Sequence, residues 1–246
     1  EQLINQAIQF HLKGNITEAS KYYRYCIKQG FADHRVFSNY GTILKDVGNL
    51  QEAEIFYRKA IAIIPDYAEA YSNLGNILKD LGKLQDAELS TRKAIELNPN
   101  LAEAHSILGS ILREKGNLQE AELSFRKTIE LNPDYAKAHF NLGNILNDYG
   151  NHEEAFIHWI KAAELKPHDE KIVIGLAHNL CYERKYELAF KYLTKNKSNS
   201  CQSLYLGCLL SLNREQDFNK KYKELSQQKV CNADIGGIVD HANIIY

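Results

Sequence analysis

At 246 residues and 44% apolar content, the chain has room for one or two compact domains or one elongated array. A formal net charge of -1 supplies no field to draw in nucleic acid or an anionic membrane surface. No apolar run approaches the ~18 residues of a membrane-spanning helix, and no signal peptide is visible.

Five cysteines, Cys26, Cys181, Cys201, Cys208 and Cys231, form no CxxC pair and leave one over. That pattern fits reduced thiols in a cytoplasmic protein better than a disulfide framework or a zinc site. The chain begins at Glu1 and holds no methionine, so a piece of a longer protein is expected.

Repetition organises the rest. NYGTIL at 39–44, NLGNIL at 73–78, ILGSIL at 107–112 and NLGNIL again at 141–146 recur every 34 residues, as do Pro65, Pro99, Pro133 and Pro167. A fixed period of this length marks a solenoid built from one supersecondary unit. In chain order, residues 1–33 keep Ala7, Gly14, Ala19 and Tyr23 of the pattern but place Phe31 where proline belongs. Residues 34–67, 68–101, 102–135 and 136–169 follow as full units.

In 68–101, Tyr71, Leu74, Leu78 and Leu81 make one amphipathic helix, closed by Gly82. Leu84, Ala87, Thr91, Ala94, Ile95 and Leu97 line a second helix, which Pro99 ends. Asp66, Asn100 and Asp134 stand where they can cap the next helix, and Asp66 with Glu69 has capping-box spacing.

Gly41, Gly75, Gly109 and Gly143, continued by Ala7 and Ala177, form one column of small residues. Ala19, Ala53, Ala87, Ala121, Ala155 and Ala189 form another, and the two columns predict where paired helices cross. Glu54 with Arg58, Glu88 with Arg92 and Glu122 with Arg126 predict a solvated outer face of i,i+4 ion pairs. Residues 170–203 keep Leu176, Ala177, Tyr186 and Ala189 before dissolving at 195–200. A degenerate pair at 204–229 has Leu206 and Gly207 in the right relation to Leu210. Ile235, Ile238, Val239, Ala242 and Ile245 give 230–246 a helical stripe, read as a capping helix or the start of a following module.

The pattern of aromatic, Leu-Gly, Gly, Ala, aromatic, Ala and Pro, carried in the second full unit by Tyr71, Leu74, Gly75, Gly82, Ala87, Ala94 and Pro99, resembles the tetratricopeptide repeat. The resemblance implies an all-α, right-handed superhelical solenoid of stacked antiparallel helix pairs spanning 1–229. Its groove would be walled by the first helices. The hexapeptide's asparagines would then face the groove, in columns read as Asn5, Asn39, Asn73, Ile107, Asn141, Gly175 and as Thr42, Asn76, Ser110, Asn144, His178.

An asparagine amide both donates and accepts, so rows of it can grip an extended backbone. In this the array is similar to the superhelical arm of O-linked N-acetylglucosamine transferases, with Ile107 breaking one row. Lys45, Lys79 and Arg113 stand beside Asp46, Asp80 and Glu114, which leaves little selection by charge, and Phe140 and Ile174 are candidate apolar anchors. A lysine clamp for a C-terminal carboxylate is excluded by Ser38, Ser72 and Ser106.

Enzyme motifs do not survive inspection. GNILKDLGK at 75–83 has the wrong glycine spacing for a phosphate loop, and HEEAFIH at 152–158 is not a zinc-protease motif. His105 and His139 fall in an aromatic packing column. The lysines of 184–197 and 214–229 alternate with acids, as solvated helix faces do. The expected function is a non-catalytic, cofactor-free scaffold holding a protein or peptide partner, without nucleic acid or membrane. The apolar ends of the array would admit a homodimer. The alternative is the substrate-recognition arm of a larger enzyme, since bacterial arrays of this kind often precede glycosyltransferase, sulfotransferase or oxygenase domains. Such a catalytic domain would lie beyond Tyr246.

Overall fold

A computed structural model describes residues 1–227, which contain fourteen α-helices and no strand. The stripe at 230–246, with Cys231, lies outside the described residues. The chain divides into two compact units, Glu1–Pro133 and Asp134–Tyr246.

The first unit holds four helix hairpins: α1 (Gln2–Leu12) with α2 (Ile16–Lys28), α3 (His34–Asp46) with α4 (Leu50–Ile63), α5 (Ala68–Asp80) with α6 (Leu84–Leu97), and α7 (Ala102–Glu114) with α8 (Leu118–Leu131). The second holds α9 (Ala136–Asp148) with α10 (His152–Leu165), α11 (Glu170–Tyr182) with α12 (Tyr186–Leu193), and α13 (Asn199–Ser211) with α14 (Glu215–Gln227).

One turn recurs in all seven hairpins, α13–α14 included, where Asn213 has φ 55° and the Arg214 N–H donates to the Leu209 carbonyl at 2.9 Å. At α5, the Lys83 N–H donates to the Leu78 carbonyl at 2.8 Å and the Gly82 N–H to the Lys79 carbonyl at 2.9 Å. This is a Schellman ending, which requires a left-handed residue after the cap. Gly82 has φ +74°, and Gly14, Gly48, Gly116 and Gly150 repeat it at 34-residue intervals. Arg184 occupies the next such slot with φ 56°, and Lys185 still donates to Leu180 at 2.8 Å.

The far end of each second helix has another cause. Ile64, Asn98 and Asn132, each preceding a proline, have extended backbone, as the proline ring demands of its predecessor. The next helix starts one residue later than the capping-box reading required. Its N-cap is Tyr67, Leu101 or Tyr135, with no side-chain cap bond, so Asp66, Asn100 and Asp134 stand outside the helices. Side-chain caps form instead at Asn15, Asp33, Asn151, Asp169 and Ser198.

The small-residue columns do mark the helix crossings. A Cβ placed on Gly41 would lie 3.3 Å from the Tyr57 ring, on Gly109 2.9 Å from Phe125, and on Gly143 2.6 Å from Trp159. On Gly75 it would collide with the Thr91 hydroxyl. Every alanine from Ala19 to Ala189 in the second column is fully buried. The outer face carries the expected pairs: Arg58 and Glu54, Arg92 and Glu88, and Arg126 and Glu122, each at 2.9 Å. Lys83 reaches Glu54 at 2.8 Å, tying α6 to α4.

The α11–α13 region departs from the expected scheme. Helix α12 is only eight residues long, and α13 begins at Asn199, inside the stretch expected to be loop. Asn196, 6% exposed, organises the connection: its amide donates to the His168 carbonyl, its Oδ1 accepts from Ser198 N–H, and its carbonyl accepts from Gln202 Nε2 at 2.7 Å. Among the described residues no helix is long and apolar enough to cross a membrane.

Candidate functional site

In the first unit the sixth position of successive repeats places Asn39 on α3, Asn73 on α5 and Ile107 on α7. Both asparagines are half-buried, while Ile107 is 7% exposed and belongs to the hydrophobic core. Asn39 approaches the buried Tyr23 hydroxyl, close enough to favour its ionised form, without reaching hydrogen-bond geometry. Burial outweighs that influence and pushes Tyr23 up to about 12. Asn73 makes no hydrogen bond with its side chain among the described residues. In the second unit, Asn141 on α9 is 6% exposed and engaged by other protein groups.

The ninth position behaves differently from the sequence expectation, which assigned these side chains no part in helix packing. Thr42 shares a hydrogen bond with the Tyr57 hydroxyl at 2.9 Å, and Asn144 Oδ1 accepts from Trp159 Nε1 at 2.9 Å. Each satisfies the polar tip of the large second-helix residue facing its neighbouring glycine. Where that residue is Phe125, which has no polar tip, Ser110 turns back to the Ser106 carbonyl at 3.0 Å. Where it is Thr91, the hydroxyl bonds to its own helix at the Ala87 carbonyl, and Asn76 keeps its amide free of protein partners among the described residues. The sequence does not display this division, because asparagine stands at the ninth position opposite both Thr91 and Trp159.

Charges near the ends of the first helices are compensated locally. Lys79 meets Asp80 at 2.6 Å and Lys45 meets Asp46 at 3.8 Å, while Arg113 is half-buried with protein partners of its own. Phe140 is not a free anchor. Its ring lies on α11, so close that a Cβ at Gly175 would stand 2.6 Å from it.

The histidines are drawn into packing. His105 Nε2 lies 2.9 Å from the Pro99 carbonyl. The buried His139 meets His158 with Nδ1 atoms 2.9 Å apart, whereas His152 pairs with Asn147. The sequence reading also passed over a cavity of about 580 Å³ on the first unit, lined by Lys21, Arg24, Tyr25, Tyr40, Glu52 and Phe56 among others.

Comparison with known proteins agrees with this architecture. Residues 68–101 match a tetratricopeptide repeat model, 41–82 and 109–148 a TPR repeat model, and 91–122 a further tetratricopeptide repeat model. No curated protein matches the chain. Among solved structures, MamA is 25% identical with a TM-score of 0.56, the match covering 65% of this chain and 94% of that one. PilF of Pseudomonas aeruginosa is 19% identical with a TM-score of 0.66, covering 79% and 91%. A tetratricopeptide repeat protein from Parabacteroides merdae is 20% identical with a TM-score of 0.64, covering 100% and 98%. The last two show likeness of fold. With the repeat motif in phase, the paired helices crossing at its glycines and its family models matched between residues 41 and 148, the chain is a tetratricopeptide repeat protein.

Proposed function

We propose that this protein is a protein-binding scaffold and that α5 presents the amides that hold an extended segment of the partner. One observation carries the reading. Asn73 and Asn76 are half-buried, lie three residues apart on one helix face, and have no protein partner for their side chains among the described residues, whereas Thr42, Ser110 and Asn144 are each committed within their own hairpin. An amide with unused donors and acceptor can pair with a peptide group in both directions. The compensated lysines of α3 and α5 argue against selection by net charge. The grip is therefore on backbone, with modest regard to the partner's sequence. Asn144, which still has an uncommitted NH2 group, is a secondary contact of the second unit.

Each hydrogen bond contributes about 1 kcal/mol net, so removing both α5 amides should weaken binding by about 2 kcal/mol, or ~30-fold. The test selects binders from a random peptide library and compares their affinities for the parent and for the Asn73→Ala, Asn76→Ala double variant. Loss in the double variant, with the melting temperature unchanged and with binding tolerant of alanine scanning of the peptide, supports the reading. Equal affinities for the two proteins would refute it.

A further inference from the structure

The second unit contains a pair of thiols that the scaffold reading does not use. Cys181, near the end of α11, and Cys208, in α13, are both buried and have sulfurs 3.5 Å apart, although 27 residues separate them in sequence. We propose that Cys181 and Cys208 form an oxidative modification site, closing to a disulfide that staples α11 to α13 when the protein meets a peroxide.

The geometry supports this directly. A disulfide has sulfurs about 2.0 Å apart, so the pair must close by only about 1.5 Å. Both cysteines lie on helices already packed against each other, so closure needs side-chain rotation more than backbone movement. The other described cysteines differ. Cys26 and Cys201 are buried, and neither has a sulfur partner among the described residues.

The two sulfurs are not equivalent. Cys181 is 8% exposed and Cys208 1%, so an incoming peroxide meets Cys181 first. The hydrogen bond from the Cys208 thiol also lowers Cys181 from its ordinary value and raises Cys208. Cys181 is therefore the attacking sulfur and Cys208 the resolving one. In the first step the Cys181 thiolate attacks one oxygen of hydrogen peroxide. The S–O bond forms, the O–O bond breaks, and hydroxide leaves and takes up the thiolate's former proton as water. In the second step the Cys208 sulfur attacks the Cys181 sulfenic sulfur. The S–S bond forms, the S–O bond breaks, and the departing oxygen leaves as water with the Cys208 proton. Two thiols are oxidised by two electrons and one peroxide is reduced to two waters.

The staple would fix the connection through α12, the shortest helix described. Its consequence is a switch in local rigidity, acting on the hairpins that follow the regular repeats.

The experiment exposes the folded, fully reduced chain to hydrogen peroxide, blocks remaining thiols after denaturation, and maps tryptic peptides without reduction. The expected result is loss of two of the five thiols and a link between peptides 172–184 and 198–214 within one chain. Because the second peptide also holds Cys201, Cys201→Ser should keep the link, while Cys181→Ser and Cys208→Ala should each abolish it. Circular dichroism of the reduced variants confirms that they fold. Oxidation should raise the melting temperature of the parent by about 5 °C and leave both single variants unmoved. The proposal is overturned if Cys181 oxidises past the sulfenic acid without linking, if the link joins Cys201 or two chains, or if linking requires urea.

Discussion

The hairpin α9–α10 and the hairpin that follows it, α11–α12, come from adjacent stretches of one repeat pattern and solve the same packing problem differently. In the first, Gly143 admits the Trp159 ring, Asn144 accepts its indole proton, and Pro167 follows the helix end. In the second, Ala177 replaces the glycine, Leu193 replaces the tryptophan, and no proline follows. Helix α12 stops after eight residues, with Asn196 supplying the polar connections. Yet the turn between the helices is unchanged in hydrogen bonding, even though Arg184 must adopt the left-handed backbone that glycine adopts elsewhere. The turn is thus held by the packing of the two helices, and glycine only relieves the strain.

The largest effect that would sharpen this comparison is alkaline. The place filled by Trp159 is filled by Tyr23 and Tyr57 in the first two hairpins, and burial pushes both up to about 12. An unfolded tyrosine titrates near 10, so the folded state holds the proton more tightly. Their contribution is complete below pH 10 and is lost as pH rises towards 12, at about 2 to 3 kcal/mol for each residue. Urea unfolding of the parent across this range, beside Tyr57→Phe, should show the variant losing about 2 to 3 kcal/mol less than the parent. An identical pH profile for the two would break the link between this position and stability.

Next in size is the fit at the helix crossing. Gly143→Ala sets a Cβ against the indole and near the Ala155 carbonyl, and should cost about 2 to 3 kcal/mol. Gly41→Ala meets only the Tyr57 ring at 3.3 Å and gains helix propensity, so it should stay within about 0.5 kcal/mol of the parent. Equal midpoints for the two variants would remove the graded complementarity. The smallest effect runs in the favourable direction. Arg184→Gly should stabilise the second unit by about 1 kcal/mol, since it relieves a left-handed residue bearing a Cβ. Destabilisation there would mean that the arginine side chain outweighs its backbone strain.

The repeating helix pairs were readable because their signals are local: a glycine at each turn, a proline past each second helix, and apolar residues at helical spacing. The helix starts were misplaced by one residue, because Asp66 has capping spacing while its backbone belongs to the turn after proline. The short α12 was hidden because a lysine- and asparagine-rich stretch looks like loop, although Asn196 is buried and a helix begins three residues later. At the candidate site, the amide columns were visible, but their division was not. Whether Asn76 or Asn144 is committed depends on whether a threonine or a tryptophan faces it from fifteen residues away, a long-range relation that local periodicity cannot express.

That relation bears on how such a chain changes over generations. The large residue and the space that receives it lie within the same 34 residues, as Gly41 with Tyr57 and Gly143 with Trp159 show. Unequal recombination that slips by one whole repeat therefore inserts or deletes a matched pair, and every remaining hairpin keeps its own complement. A slip that joins the first helix of one repeat to the second helix of another would set Gly143 against threonine or Ser110 against tryptophan. The tryptophan junction would leave a bulky ring without its amide acceptor. Lengthening or shortening the array by whole hairpins would thus preserve the packing at every helix crossing, whereas a junction between helices of different hairpins would not.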